Sequence, residues 1–367
     1  MKYIYQNEQW PSFSWDIKNV LEALVSLKSV QGTLLGKMNS LGFDLQQEAI
    51  ASTLTDEVIR SSAIEGHILN TEQVRSSVVR RLGLPVEKEY QTDRYIEGIV
   101  TIVFNAVEHY DKPLTKERLL GWQASLFPTG YSTINKILTG QFRDDKKGPM
   151  QVVSGPMGKE KVHFQAPEAN QLEKEIEKFL NWLNQTDKTD GIIKAGIAHL
   201  WFITLHPFED GNGRIARTLT DMMLAKAEKS SQRFYSISKQ MQENRDDYYN
   251  ILEKTQKGSL DITFWLLWFI KCVTDAIASS ETTLNSILNK ALFWQKHSSI
   301  TFNDRQIKIL NKLLDDFIGN LTSSKWAAIC KCSQDTANRD INDLLAKNVL
   351  VKHGQGRSIK YTLSSQN

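Results

Sequence analysis

Twelve consecutive residues, His206-Pro207-Phe208-Glu209-Asp210-Gly211-Asn212-Gly213-Arg214-Ile215-Ala216-Arg217, hold most of the groups that phosphate chemistry requires. His206 can take up a proton near neutral pH, which makes it the candidate base. Asp210 offers hard carboxylate oxygens of the kind that hold Mg²⁺ against phosphates. Gly211-Asn212-Gly213 can fold as a tight loop whose backbone N–H groups approach an anion closely. Arg214 and Arg217 stand three residues apart, hence on one helical face, and both can reach anionic oxygens. Phe208 is expected to bury itself and anchor the loop, and Glu209 to be a solvated carboxylate.

These groups converge only if two helices deliver them. Pro207 disfavours helical geometry at His206, so a helix over 190–205 should end there. A second helix, over 213–228, starts at the glycine loop and aims its positive N-terminus at the same spot. Elsewhere, apolar residues recur at helical spacing, as at Ile17, Val20, Leu21 and Leu24. That spacing predicts further helices at 46–65, 90–109, 114–126, 168–184, 242–255 and 260–290, with a final cluster beyond 303. Strand signal is confined to two hairpins, Met150–Val153 with Val162–Phe164 and Val349–Val351 with Ile359–Leu363. The expected fold class is mainly α.

The twelve residues fit the pattern H-x-F-x-[D/E]-G-N-G-R-x-x-R at all eight fixed positions, a coincidence expected less often than about once in a billion starts. They resemble the signature of the Fic (filamentation induced by cAMP) family. Ile197 to Leu205 is similar to the helix that leads into the family's motif. Gly140-Gln141-Phe142-Arg143 and the hairpin after it resemble the family's Gly-x-x-Arg segment and target-docking flap. The resemblance covers about residues 112–255 and implies a Fic-type helical core with a small β-hairpin flap. It also implies a protein adenylyltransferase moving AMP from ATP, with Mg²⁺, to a Ser, Thr or Tyr hydroxyl of a target protein. In that reading His206 is the base, Asp210 the metal ligand, and Gly211, Asn212 and Gly213 the α-phosphate cradle. Arg214 and Arg217 then face the leaving pyrophosphate and the γ-phosphate. Removal of AMP from modified proteins, and a DNA-binding regulator with a nucleotide-sensing Fic core, are the alternative readings.

Upstream, Ser61-Ser62-Ala63-Ile64-Glu65-Gly66 resembles the family's inhibitory motif, [S/T]-x-x-x-E-[G/N]. Ala51 to Ile64 can form one helix, and Gly66 is a natural stop directly after Glu65. A carboxylate there could pair with Arg217 and deny it to the γ-phosphate. In part of the family this Glu positions a water for AMP removal, and the sequence does not separate the two roles. Trp10 and Trp15 are expected to pack the N-terminal extension onto the core.

From Phe302 onward the pattern reads helix, short helix, helix, hairpin, and looks like a winged helix-turn-helix. Ile307, Leu310, Leu313 and Leu314 should face its core, Ser323-Ser324 cap the second helix and Ser333 cap the third. Thr336, Asn338, Arg339 and Asn342 are the candidate base readers, opposed by Asp335, Asp340 and Asp343, which would repel phosphates. Binding to DNA and docking or dimerisation through this module both stay open. Residues 301–367 hold ten Lys and Arg against six Asp and Glu, so the chain's small positive excess of +3 lies there.

The expected domains are an N-terminal helical extension with the inhibitory helix (1–111), the Fic-type core (112–255), connecting helices (256–298) and the winged helix-turn-helix (299–367). A hydrophobic share of 41% with 24% charged residues excludes disorder and fibrous repeats. The longest apolar run, Phe264–Ile270, is too short to cross a bilayer, so no membrane partner is expected. No apolar stretch near the start suits a signal peptide. With only three cysteines, a reducing, cytoplasmic home is the expectation.

Overall fold

Short polar side chains start many of the helices. Asp16, Asn70, Asp93, Thr115 and Asp190 each accept a hydrogen bond from a backbone N–H of the first turn. The computed structural model describes residues 3–85, 90–156, 158–315, 317 and 319–364. Packing divides the chain into two units, Met1–Glu281 and Thr282–Asn367, so the segments read as 1–111 and 112–255 share one unit.

The first unit runs α1 (Ile17–Asn39), α2 (Phe43–Ile64), α3 (Thr71–Arg81), α4 (Arg94–Glu108) and α5 (Lys116–Leu126). Two antiparallel hairpins follow, β1 (Tyr131–Ser132) with β2 (Asn135–Lys136), and β3 (Gln151–Ser154) with β4 (Lys161–Gln165). Then come α6 (Ala169–Asn184), α7 (Gly191–Leu205), α8 (Asn212–Glu228), α9 (Ile237–Glu243), α10 (Arg245–Gln256) and α11 (Thr263–Lys296), which continues past the division. Every residue of α7 from Ile192 to Leu205 is buried, which is how a helix apolar on all sides becomes the centre of a bundle. The single helix expected at 242–255 is two, because Asn244 leaves helical geometry and serves both as the C-cap of α9 and the N-cap of α10. Helix α3 escaped the periodicity reading, its sequence TEQVRSSVVRR being mostly polar. Trp10 and Phe13 pack edge-on against Trp201, both at 5.9 Å, and the Trp10 indole donates to Glu175 at 3.0 Å. The N-terminal aromatics thus hold the extension to α6 and α7.

The second unit contains α12 (Asp304–Leu314), α13 (Ser323–Cys330), α14 (Gln334–Ala346) and the antiparallel pair β5 (Leu350–His353) and β6 (Lys360–Leu363). Its core gathers Ile309, Leu310, Leu321, Trp326, Ile341 and Leu344. Ile307 is instead exposed and Ile309 takes its place inside. Thr322, rather than Ser323 or Ser324, caps α13, while Ser333 caps α14 as its position implied. Two of the acids expected to repel phosphates are neutralised internally: Asp340 is buried against Arg305 (2.7 Å) and Asn303 (2.9 Å), and Asp343 takes Lys347 (2.6 Å) and Gln306 (2.7 Å). Asp335, Asn338, Arg339 and Asn342 are exposed, and Thr336 is half-buried. Among the described residues no helix is long and apolar enough to cross a membrane.

Close approach of α4 and α5 sets the wall that later receives Arg214. A Cβ built on Gly98 would lie 1.9 Å from the Ser125 carbonyl oxygen, so only glycine permits the crossing. Gly98→Ala is expected to lower the unfolding free energy by about 1–3 kcal/mol, read by urea denaturation. An unchanged midpoint would mean that the two helices have room to spare.

Candidate functional site

The loop between α7 and α8 takes its shape from its own residues. His206 follows the last helical residue in a left-handed conformation (φ 47°), which turns the chain sharply at Pro207. Phe208 is fully buried, packed near Phe142 and Phe202, and so anchors the loop as expected. Asn212 pins both sides of it: its side-chain oxygen accepts from the Phe208 N–H at 3.0 Å and its amide donates to the Phe208 carbonyl at 2.8 Å. Gly211 adopts φ 92°, and a Cβ there would press on Phe127 and Leu126 at 3.0 and 3.1 Å. Helix α8 therefore begins with bare backbone N–H groups facing the space above the loop.

His206 is held from behind. Its Nδ1 donates to the Ile203 carbonyl at 3.2 Å, and because a carbonyl only accepts, the proton sits on Nδ1 and Nε2 is left bare. The half-buried imidazole is pushed down to about 4, chiefly by burial and further by the Arg143 charge, against the raising effects of the Ile203 hydrogen bond first and then of Glu65 and Asp210. Arg143 itself is buried and donates to the His206 carbonyl at 2.8 Å, so the Gly140–Arg143 segment braces the turn.

Asp210 accepts from the Gly211 N–H and from the hydroxyl of Ser132 on β1, and lies 3.3 Å from Arg214. Arg214 is buried between the rings of Phe127 (5.0 Å) and Tyr95 (5.7 Å), and donates to the Tyr95 hydroxyl at 2.6 Å. Glu209 departs from its expected role. It is largely buried, accepting from the Leu138 N–H at 2.8 Å and pairing with Lys147 at 3.3 Å, so it ties the loop after β2 to the motif.

Arg217 is 1% exposed, and three of its hydrogen bonds go to one helix end. Its Nε donates to the Ser61 hydroxyl at 2.9 Å, and Nη2 to the Ser61 carbonyl and the Glu65 carboxylate, both at 2.8 Å. Helix α2 stops there because Gly66 takes φ 83°; the N–H of Gly66 bonds Ala63 and that of His67 bonds Ser62, a Schellman ending. Glu65 is thereby set over Gly213 so closely that a Cβ on Gly213 would meet its carboxylate oxygen at 2.0 Å. The Glu65 carboxylate thus lies against the first turn of α8.

The structure thus gathers His206, Asp210, Gly211, Asn212, Gly213, Arg214, Arg217, Ser61, Glu65 and Gly66 at one place. It adds Tyr95, Phe127 and Ser132, which sequence reasoning missed. They come from α4, the end of α5 and β1, and no local pattern connects them to the loop. Among the described residues, no group of three or more His, Cys, Asp or Glu is placed to hold a metal ion by itself.

Comparison with known proteins agrees with this geometry. Residues 113–224 match the Fic/DOC family, and residues 3–84 match a domain of unknown function (DUF4172). The chain is 24% identical over 295 residues to the protein adenylyltransferase Fic of Nematostella vectensis, covering 74% of this chain and 62% of that protein. It is 32% identical over 87 residues to that of Drosophila mojavensis, covering 23% of this chain and 16% of that protein. The matches thus span less than two thirds of these relatives' length. A Fic family protein from Desulfovibrio desulfuricans shares the fold over 95% of this chain and 97% of its own, with a TM-score of 0.56 at 19% identity. A Fic domain containing signaling protein from Bacteroides thetaiotaomicron does so over 73% and 95%, with a TM-score of 0.51 at 18% identity.

Burial of the imidazole can be read directly. Nitrogen chemical shifts of His206 followed by NMR are expected to titrate with a midpoint near 4, the ring being neutral above it. A midpoint at the ordinary value near 6.5 would show that the ring is hydrated and unconstrained.

Proposed function

From the premise that the chain carries a Fic/DOC-family domain, we propose that the protein is an adenylyltransferase held in check by its own helix α2. The observation that carries this reading is the Glu65 carboxylate lodged over Gly213 and paired with Arg217 at 2.8 Å. A site built to receive an anion already contains one, supplied by the chain.

In the reaction, a hydroxyl oxygen of the target attacks the α-phosphorus of ATP, and the bond from that phosphorus to the bridging oxygen of the β-phosphate breaks. The hydroxyl proton passes to Nε2 of His206, whose lone pair is free because Nδ1 holds its proton against Ile203. Backbone N–H groups at Asn212 and Gly213 stabilise charge that develops on the α-phosphate oxygens, while the Gly211 N–H holds Asp210. Arg214, held by Tyr95 and Phe127, receives the departing pyrophosphate, and Arg217 the γ-phosphate.

Asp210 fits a magnesium ion shared with the nucleotide. Its side chain is about a third exposed, and one of its oxygens is held only by an exchangeable serine hydroxyl. An ion bridging phosphate oxygens needs one protein carboxylate rather than a dedicated cluster. Bound there, it would neutralise charge on the phosphates.

Restraint follows from the same contacts. While Glu65 occupies the seat, it engages Nη2 of Arg217 at 2.8 Å, and two anions cannot share the α8 N-terminus. Glu65→Gly is expected to raise AMP incorporation from α-labelled ATP about ten- to a hundredfold over the unaltered protein, the worth of a partly buried charge-assisted pair. Adding His206→Ala to that variant should return incorporation to background. Equal incorporation with and without Glu65 would rule out restraint by this residue, and undiminished transfer without His206 would rule out the base.

A further inference from the structure

Arg217 also meets a side chain that α2 does not carry, at the end of a hydrogen-bonded chain whose direction the chemistry fixes. Thr220 on α8 donates its hydroxyl proton to the Ala216 carbonyl at 2.8 Å. Its oxygen lies 2.8 Å from Nδ1 of His199 on α7. Having given its one proton away, Thr220 accepts there, so Nδ1 carries the hydrogen. Burial, helped by the Arg217 charge, takes His199 down to about 3, so the ring is neutral and Nε2 is bare. Nε2 accepts the hydroxyl proton of Tyr248 on α10 at 2.8 Å. The other tautomer would leave the Tyr248 O–H facing a guanidinium, which accepts nothing.

Tyr248 is 1% exposed, its ring stacked on Trp268 at 5.6 Å, and burial keeps the phenol protonated by raising it above its ordinary value. With its proton committed to His199, its oxygen can only accept from Arg217, whose guanidinium it contacts. Ser61 and Glu65, the remaining partners of Arg217, both belong to the end of α2. If that helix end withdraws, Tyr248 stays.

We propose that Tyr248, oriented by His199, is a positioning residue for Arg217: it presents a hydroxyl oxygen as an obligate acceptor and aims the guanidinium at the terminal phosphate of a nucleoside triphosphate. This rests on the reading of Arg217 as the γ-phosphate ligand. The expected signature is selective. Losing the acceptor weakens the hold on the third phosphate and leaves the first two alone.

The test compares ATP with ADP by calorimetry in the presence of Mg²⁺, in the Glu65→Gly, His206→Ala double variant, where the seat is open and ATP is not consumed. Tyr248→Phe is expected to lower the ratio of ATP to ADP affinity about five- to tenfold, mainly through ATP, as befits one hydrogen bond to a charged group. His199→Ala should lower it similarly. His199→Gln, whose side-chain oxygen can reach the place of Nε2 and accept from Tyr248, should keep most of it. Thermal unfolding of each variant identifies those that are folded and comparable. Arg217→Ala separates the two claims. If it leaves the ratio unchanged, Arg217 is not the γ-phosphate ligand and both readings fall. If it collapses the ratio while Tyr248→Phe and His199→Ala do not, the positioning role alone is overturned.

Discussion

A guanidinium cannot give up its proton, so Arg217, almost wholly inside the protein, needs an anion beside it in every state the molecule visits. Leaving such a charge unpaired after removing its partner costs several kcal/mol. The pairing with Glu65 meets that need in the resting chain, and in the proposed reaction a phosphate meets it instead. In that proposal, one seat with two alternative anions is the constraint around which the rest is arranged. It explains why α2 must end where it does, why Gly213 must lack a side chain, and why Ser61 gives Arg217 both its hydroxyl and its carbonyl.

The seam between α2 and α8 keeps this register over two further turns. Moving four residues back along α2 and four forward along α8, Glu65 over Gly213 gives way to Ser61 against Arg217, and then to Glu57 against Asp221. At that last level the charges do not balance. Asp221 and Glu228 are buried around one guanidinium, Arg233, which lies 2.5 Å from Glu228 and 3.6 Å from Asp221, and Glu57 is buried beside Asp221. Burial first, and the Glu57 carboxylate next, push Asp221 well above the usual carboxylate range. Glu57 is satisfied by the hydroxyls of Ser236 and Ser238 and the Ser238 N–H, which join α9 to α2. Helix α2 is thus held by a polar seam at its centre and by α9 along its flank.

Legibility from sequence tracked distance along the chain. His206 to Arg217 could be read because base, loop and cations lie within a dozen residues, and Pro207 and the glycines dictate the backbone between them. Glu65 could be placed because Ser61 to Gly66 resembles the family's inhibitory motif, with Gly66 as the helix stop. Tyr95, Ser132, His199 and Tyr248 could not be placed, since each reaches the site only through packing of helices far apart in sequence. The failed readings share this cause. Glu209 looked solvated until a backbone N–H from residue 138 and Lys147 covered it. Asp340 and Asp343 looked like free charges on α14, yet Arg305, Asn303, Gln306 and Lys347 consume them.

The claim that Glu65 occupies a phosphate seat needs neither a target protein nor turnover to be tested. Inorganic tripolyphosphate binding can be measured by calorimetry in the unaltered chain and in Glu65→Gln, which keeps the side chain's shape and removes its charge. The account predicts that affinity rises about tenfold or more in the variant, because the resident anion no longer competes. Equal affinities in the two proteins would contradict it.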